Sequence, residues 1–383
     1  MECCQFQLKN AMKPNKEWSR RNFLKTTSAA GTFAVMNPFS AFAQKTYDID
    51  PKVAAIVAQS FAIDTHNHMD VPFDGAEFDA QAVPLSNELH KSGFKAVSMT
   101  FCVDRPKLNY EGEAFKRFIT TLDKHDQILR ANGIKRVLNS RDLLHAKKAS
   151  KPVVIQSVEG GHFLEGKLER LEVAYNRGLR HLGLLHDAQS AYPLGDIYTN
   201  PSQFGGLTPL GLEVVTACEK AGILVDLAHC SDEAINDALE KMSKPAIISH
   251  TGLNTQLGND QKMAKMMMPR LISKQQAKTV AEAGGVIGVW THLVETPTEM
   301  AQHIAALCAI VGTHHVSIGT DSRMAVQTGG NARGLINQFW HTSAQGFFYT
   351  LVDAMLKTGF TKEEILNIGG GNYWRIFEEA ITV

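Results

Sequence analysis

Eight short apolar runs, spread along most of the 383 residues, are the feature that most restricts how this chain can fold. Amphipathic stretches typical of helices lie between them, for example at 113–132, 209–221 and 298–311. The alternation of strand and helix predicts a parallel sheet. Eight repeats predict that it closes into a (β/α)8 TIM barrel, an α/β fold. The predicted strands are 61–64, 96–102, 153–158, 179–185, 224–228, 246–249, 285–290 and 316–320.

Histidines and carboxylates follow these runs along most of the chain. In a parallel barrel the carboxyl ends of all strands open onto one face, so residues that are scattered in the sequence would converge there. Imidazoles and carboxylates that meet at one point are what a metal site requires. The sequence therefore predicts a metal-dependent hydrolase. The residues concerned are His66, His68, Glu159, His186, His229, His250 and Asp321.

The spacing of these residues suggests two ion positions. His66 and His68 are two residues apart at a strand end, so both side chains point to the same side and can bind one ion. His229 and His250 end successive strands and could hold a second ion. Glu159 precedes two glycines, which allow a sharp turn after the strand, and its two oxygens can bridge two cations. Asp64 either orients a ligand or is an ordinary strand-end carboxylate.

The N-terminal segment has the pattern of an export signal. Ser-Arg-Arg-Asn-Phe-Leu-Lys at 19–25 is a twin-arginine pattern, a mildly apolar stretch follows, and Ala-Phe-Ala at 41–43 fits a cleavage site. We predict that 1–43 is a signal peptide and that 44–383 is a single barrel domain. The expected partner is the twin-arginine export machinery, and the expected location is the bacterial periplasm. No later segment is apolar over 18 residues, so no transmembrane anchor is expected in the mature chain.

Charge and cysteine content exclude other classes of protein. The 39 basic and 39 acidic residues balance, so nothing predicts nucleic-acid binding. Four cysteines remain after cleavage, without a C-x-x-C pair, and are expected to be buried thiols. One disulfide stays possible in an oxidising compartment. These cysteines are Cys102, Cys218, Cys230 and Cys308.

Two long polar insertions interrupt the alternation, at 187–211 after the fourth predicted strand and at 254–268 after the sixth. Both should lie over the catalytic face and are candidates for substrate loops. The methionine-rich part, 262–268, is either an apolar lip of the site or a plain surface turn.

Short motifs occur in a fixed order at the predicted strand ends. They include Glu-Gly-Gly-His at 159–162, Asp-Leu-Ala-His-Cys-Ser-Asp at 226–232, Pro-Arg at 269–270, Ile-Gly-Thr-Asp at 318–321 and Gly-Asn-Tyr-Trp-Arg-Ile-Phe at 371–377. Each motif alone is weak, but the ordered set is specific. From about 62 to 377 it resembles the membrane (renal-type) dipeptidase family.

The resemblance implies a binuclear zinc hydrolase that cleaves dipeptides, with a D-residue tolerated at the C-terminal position. His66 and His68 would bind one zinc ion, and His229 and His250 would bind the other. Glu159 would bridge the pair, with the attacking hydroxide held between them.

The resemblance also assigns roles in catalysis and substrate binding. His186 would steady the reacting carbonyl oxygen, and Asp321 would transfer the proton. Arg270 would hold the substrate's carboxylate, although an ordinary surface arginine at a helix start is the alternative. The family is often dimeric, so a homodimer is expected, and the substrate would be a dipeptide or another small molecule.

One departure from the family lies at the centre of the site. The family has His-x-Asp on the first strand, whereas this chain has His-Asn-His, so His68 replaces a carboxylate. The site becomes one unit more positive, which should lower the pKa of bound water further and could favour an anionic substrate. Asp70 is a possible substitute ligand. A second departure, Ser-Arg-Met directly after Asp321, predicts an altered substrate pocket.

Two other functions stay open. A different amidohydrolase, acting on N-acyl amino acids, lactones or cyclic amides, would also use a His-x-His motif. Its metals are often bridged by a carboxylated lysine on the fourth strand, however, and 179–185 contains no lysine. A non-catalytic periplasmic binding protein is the other alternative. The presence together of Glu159, His186, Arg270 and Asp321 argues against it.

Overall fold

A computed structural model describes residues 49–73, 78–324 and 346–382. The predicted signal peptide, 1–43, lies outside the described residues. Nine parallel strands are found in them: β1 Ile63–His68, β2 Ala96–Thr100, β3 Lys135–Arg136, β4 Val153–Glu159, β5 Leu179–Gly183, β6 Leu224–Asp226, β7 Ile247–Thr251, β8 Val286–Val289 and β9 Val316–Ile318.

Eight of these strands close into a barrel, which confirms the predicted (β/α)8 fold. The strands pair in the order β2, β1, β9, β8, β7, β6, β5 and β4, and β2 pairs with β4 to complete the ring. The eight predicted runs correspond to these eight strands, because residues covered on both faces must be apolar over short, continuous stretches.

Strand β3 is an addition that the sequence did not predict. Lys135 and Arg136 pair with Val153 and Val154, at the start of β4. From Gln156 onward β4 pairs with β5 instead. A two-residue strand of basic side chains has no apolar run to reveal it.

Strand β1 extends further than predicted. The apolar run stops at Asp64, but pairing with β2 continues to His68. The polar part of the strand is buried because its side chains have partners: the Thr65 hydroxyl donates to the Ser249 carbonyl at 2.8 Å, and Asp64 accepts from the Thr320 amide at 2.9 Å. His66 and His68 are therefore held on a paired strand rather than on a loop.

Helices cover the outside of the barrel, and those predicted at 113–132 and 209–221 have the predicted bounds. Side chains of Thr208, Ser231 and Ser273 accept hydrogen bonds from the first-turn amides of three helices, which explains where these begin. The helices are α1 Pro51–Gln59, α2 Leu85–Ser92, α3 Glu113–Asn132, α4 Ser140–Ala149, α5 Glu169–Asn176, α6 Pro209–Ala221, α7 Asp232–Lys241, α8 Gln261–Met267, α9 Lys274–Glu282, α10 Pro297–Val311, α11 Phe347–Thr358, α12 Lys362–Leu366 and α13 Asn372–Ile381.

Two glycines create space for backbone inside the barrel, close to the catalytic end. A Cβ atom on Gly288 or Gly319 would lie 1.9 or 1.8 Å from the carbonyl oxygen of Ser249. Real Cβ atoms do not approach so closely, so β8 and the end of β9 can pass Ser249 only as glycine. This packing fixes the position of Ser249 in β7, and the next residue of the strand is His250.

The helices and the cysteines of the described residues bear on two of the predictions. Over 49–73, 78–324 and 346–382, every helix is too short or too polar to cross a lipid bilayer. Cys218 and Cys230 are buried thiols, as predicted. Cys102 and Cys308 are free thiols as well, but they are half-buried rather than buried.

Candidate active site

Five imidazoles surround the carboxylate of Glu159 at the carboxyl end of the barrel. Each ring directs Nε2 at this group, from the ends of four strands, since His66 and His68 both belong to β1. The distances from Nε2 to a Glu159 oxygen are 2.9 Å for His229, 3.3 Å for His186, 3.5 Å for His66, 3.5 Å for His68 and 3.6 Å for His250. The structure thus brings the predicted ligands together.

Partners on the opposite side of three rings fix their orientation. Nδ1 of His229 lies 3.0 Å from Oδ1 of Asp187. The Ser249 hydroxyl lies 3.2 Å from Nδ1 of His66 and 2.9 Å from Nδ1 of His250. A ring whose Nδ1–H donates to such a partner presents an unprotonated Nε2, which is the form that binds metals.

The centre of this cluster fits divalent metal ions. Among the described residues, Oε2 of Glu159 is buried without a hydrogen-bond partner. Ring nitrogens also face each other: Nε2 of His229 is 3.1 Å from that of His250, and Nε2 of His66 is 3.4 Å from that of His68. A divalent cation at this point would accept the lone pairs of the ring nitrogens and would also give the Glu159 oxygen a partner.

The ligand atoms form several overlapping groups that could each hold an ion. Within the described residues, His66, Glu159 and His250 form one group, and Glu159, His186 and His229 form another. A third group joins His66 and His68 to Asp321, whose Oδ1 is 3.2 Å from Nε2 of His68. Because Asp321 faces both histidines of β1, it can supply the negative charge that His68 does not. Cys102, Asp104 and His186 make up the fourth group.

Asp321 is held by a histidine that the sequence analysis did not select. Nε2 of His292, two residues beyond Trp290, forms a short hydrogen bond to Oδ2 of Asp321. Burial disfavours the charged form of Asp321, but the neighbouring His250 and His292 hold the pKa of this carboxyl well below its usual range. Asp321 and His229 both have left-handed backbones, with φ of 51° and 67°. Such strain in non-glycine residues is typical of functional sites.

Asp64 and Asp70 contact residues of β1 rather than the Glu159 carboxylate. Asp64 accepts hydrogen bonds from the Thr320 amide and hydroxyl and from the Asn67 side chain, so it orders the backbone of β1 and the residues after β9. Asp70 lies 3.5 Å from Nδ1 of His68, on the side of the ring away from Glu159. Asp70 thus contacts the His68 ring and not the Glu159 carboxylate, and its role as a substitute ligand stays a prediction.

A cavity of about 1300 Å³ opens above the cluster. Asp187 and Thr199 from the first long insertion line it, as do Met266 and Met267 from the second. Both insertions therefore reach the catalytic face, as predicted. The methionine-rich segment is the helix α8, not a surface turn, and Met266 is 56% exposed at the cavity edge.

Arg270 also lines this cavity, where its guanidinium donates from Nη2 to Oδ2 of Asp187. Arg270 is therefore half-buried in the cavity wall rather than an ordinary surface arginine, and its role in substrate binding stays a prediction. The same Asp187 contacts His229, so the predicted carboxylate-binding residue and a predicted ligand are linked through one side chain.

The site also contains residues that the sequence did not predict, among them Asp104, Asp187 and His292. Both oxygens of Asp104 contact Nδ1 of His186, and Asp104 is fully buried. A signal was available for these three, because Asp104 and His292 each lie just beyond an apolar run and Asp187 directly follows His186.

Comparisons with known proteins identify the family of this chain. The family model "Membrane dipeptidase (Peptidase family M19)" matches residues 51–383. Dipeptidase 3 of Homo sapiens is 24% identical over 363 residues, covering 88% of this chain and 69% of that protein. Dipeptidase 3 of Macaca fascicularis is 24% identical over 61% of this chain, and the matched part is 46% of that protein's length.

Solved structures show the same fold. An amidohydrolase from Pseudomonas aeruginosa has a TM-score of 0.69 and 19% identity, covering 86% of this chain and 99% of that one. A metallo peptidase from Rhodobacter sphaeroides, bound to a phosphinate mimic of L-Ala-D-Ala, has a TM-score of 0.67 and 16% identity, covering 83% and 99%. With the family model matching nearly the whole described chain, this protein belongs to the membrane dipeptidase family, peptidase family M19.

Proposed function

We propose that this protein is a metal-dependent dipeptidase that hydrolyses the amide bond of dipeptides. The observation that carries the proposal is the convergence of five imidazoles on the Glu159 carboxylate beneath an open cavity. Membership of the membrane dipeptidase family supports it. The alternative of a non-catalytic binding protein is disfavoured, because such a protein has no need for this cluster.

We assign the cofactor as two Zn²⁺ ions. His66 and His68 would hold one, His229 and His250 the other, and Glu159 would contribute to both. Imidazole and carboxylate ligands suit Zn²⁺. When bound, such ions polarise a carbonyl and lower the pKa of water to near neutrality.

The other residues act on the substrate. His186, oriented by Asp104, directs Nε2 into the site and would hydrogen-bond the reacting carbonyl oxygen. Asp321 would accept the proton of the attacking water and return it to the leaving amine. Arg270 keeps N–H groups beyond the one that contacts Asp187, and these would bind the substrate's terminal carboxylate.

Hydrolysis of a defined dipeptide panel tests the proposal. Purified protein, loaded with zinc, should release amino acids from dipeptides with an L-residue at the first position and an L- or D-residue at the second. The phosphinate mimic of L-Ala-D-Ala bound to the Rhodobacter sphaeroides relative is the reason to include D-residues. Absence of release from every dipeptide would refute the dipeptidase assignment.

A second candidate is an amidohydrolase that acts on N-acyl amino acids, lactones or cyclic amides. The group formed by His66, His68 and Asp321 favours this second candidate. In that group Asp321 would supply the carboxylate that the dipeptidases have on the first strand. Adding N-acetyl amino acids and a lactone to the panel separates the two functions, because the preferred class is the one with the higher kcat/KM.

We also propose export and dimerisation. The twin-arginine pattern at 19–25 supports passage to the periplasm of a bacterium, with cleavage after Ala43. Mass spectrometry of the mature protein from the producing cell would show whether residues 1–43 are absent. The homodimer is proposed on the family resemblance alone, and light scattering measures it directly.

A further inference from the structure

One carboxylate in the cavity wall is shared by two arginines. Arg105, which follows β2, and Arg270, which precedes α9, both donate from Nη2 to Oδ2 of Asp187. The other oxygen of Asp187 accepts from His229 at 3.0 Å. Two guanidinium groups on one carboxylate leave a surplus positive charge at this point. Their nitrogens are also neighbours, because they contact the same atom.

Other charges in the cavity wall do not cancel this surplus. Arg117 is paired with Glu113 at 2.6 Å, and Arg323 with Asp70 at 2.9 Å. Apart from Glu159 and Asp321, which contact the site histidines, the charged residues among the described lining are five cations and three carboxylates: Arg105, Lys116, Arg117, Arg270 and Arg323, against Asp70, Glu113 and Asp187. This part of the cavity wall therefore favours an anionic group of a ligand.

Accessibility separates the roles of the two arginines. The Arg270 side chain is 26% exposed and lies deeper, whereas that of Arg105 is 60% exposed. Among the described residues, Arg105 forms its side-chain hydrogen bond to Asp187 through Nη2. Most of the five N–H groups of Arg105 can therefore reach a ligand. Arginine is suited to this because its planar fork binds carboxylates in a bidentate manner.

We propose that Arg105 is a specificity-determining residue that binds a second carboxylate of the substrate. The preferred substrates are then dipeptides with aspartate or glutamate at the C-terminal position, whose two carboxylates reach the adjacent Arg270 and Arg105. This inference rests on the proposed dipeptidase function, and it names the substrate class of that site.

The test compares isosteric dipeptides, L-Ala-Glu and L-Ala-Gln, each with L- and D-forms of the second residue. We expect the zinc-loaded protein to show a kcat/KM at least about tenfold higher for the Glu form. Arg105→Gln should reduce that ratio toward one, mainly through a higher KM for the Glu form, and Arg105→Lys should retain part of it. Arg141→Gln, an exposed arginine on α4, is the matched control and should keep the ratio.

Failure of the inference and failure of the function give different results. Equal kcat/KM for Glu and Gln forms, or an unchanged ratio in Arg105→Gln, would overturn the role of Arg105 and leave the dipeptidase intact. If no dipeptide is cleaved, the affinities for free glutamate and free glutamine, measured by calorimetry, test the role of Arg105 instead. Glutamate binding that weakens about tenfold in Arg105→Gln supports the two-arginine site, and binding that is equal for both ligands refutes it.

Discussion

Nδ1 of His186 lies 2.7 Å from Oδ2 and 2.8 Å from Oδ1 of Asp104, a residue 82 positions earlier in the chain. The carboxylate is fully buried, so this contact is well shielded from water. This contact fixes the orientation of the ring, which directs Nε2 toward Glu159. Asp104 therefore positions a side chain proposed to hold the reacting carbonyl oxygen.

Asp104→Asn should lower kcat by about 10- to 100-fold with little change in KM, because an outer partner of a site histidine is lost while the cavity is preserved. Steady-state kinetics on the best dipeptide measures this. Asp123→Asn, at a carboxylate that is 59% exposed, is the matched control. A raised KM with unchanged kcat would show instead that Asp104 serves substrate binding.

His68 is the proposed ligand at which this chain departs from the family. We expect His68→Ala to lose about one metal ion per chain during dialysis, whereas His68→Asp, which restores the family's carboxylate, should retain both. Carboxylate and imidazole are both good zinc ligands, and alanine supplies none. Metal content per chain, determined by mass spectrometry of the acid-digested protein, is the readout. Full metal retention by His68→Ala would exclude His68 as a ligand.

Removal of the metal should abolish hydrolysis and also lower the thermal stability. A ligand that binds the folded state stabilises it by about 2.7 kcal/mol at a free concentration 100 times its Kd. Chelation should therefore reduce Tm, and added Zn²⁺ should restore both Tm and activity. In Glu159→Gln the Zn²⁺-dependent rise in Tm should shrink strongly. A Tm that zinc does not affect in the wild-type protein would argue against a metal site.

His125 should make the fold less stable in acid. It is fully buried on α3, beside Gln156 and the Met69 carbonyl, and burial lowers its pKa from 6.5 to about 4. Between these two pKa values His125 binds a proton in the unfolded chain but not in the folded protein. The free energy of unfolding therefore falls as the pH drops from 6.5 to 4. The loss attributable to this group is about 3 kcal/mol.

Denaturant unfolding at pH 7, 6, 5 and 4 tests this prediction for His125. His125→Gln should unfold at lower denaturant at pH 7, since packing changes, but its stability should fall less steeply toward pH 4 than that of the wild-type protein. His90→Gln, at an exposed histidine on α2, should show the wild-type slope. Parallel curves for His125→Gln and wild type would contradict the assignment.

The barrel and the seven strand-end residues follow from local patterns in the sequence, because burial forces apolar runs and metal binding favours a few residue types. The pairs that orient those residues do not follow in the same way. Asp104 contacts His186 only because distant strands and loops are brought into register. The same holds for Arg105 and Arg270, which both contact Asp187. Likewise, the length of β1 depends on partners for Thr65 and Asp64 that no local window contains.

The single hydroxyl of Ser249 has a consequence for how the site fills. It contacts Nδ1 of His66 and of His250, which belong to different proposed ion positions. Both rings can offer a bare Nε2 only if both Nδ1–H groups donate to this one oxygen, whose two lone pairs suffice. Loss of this one hydroxyl should therefore weaken both proposed ion positions together.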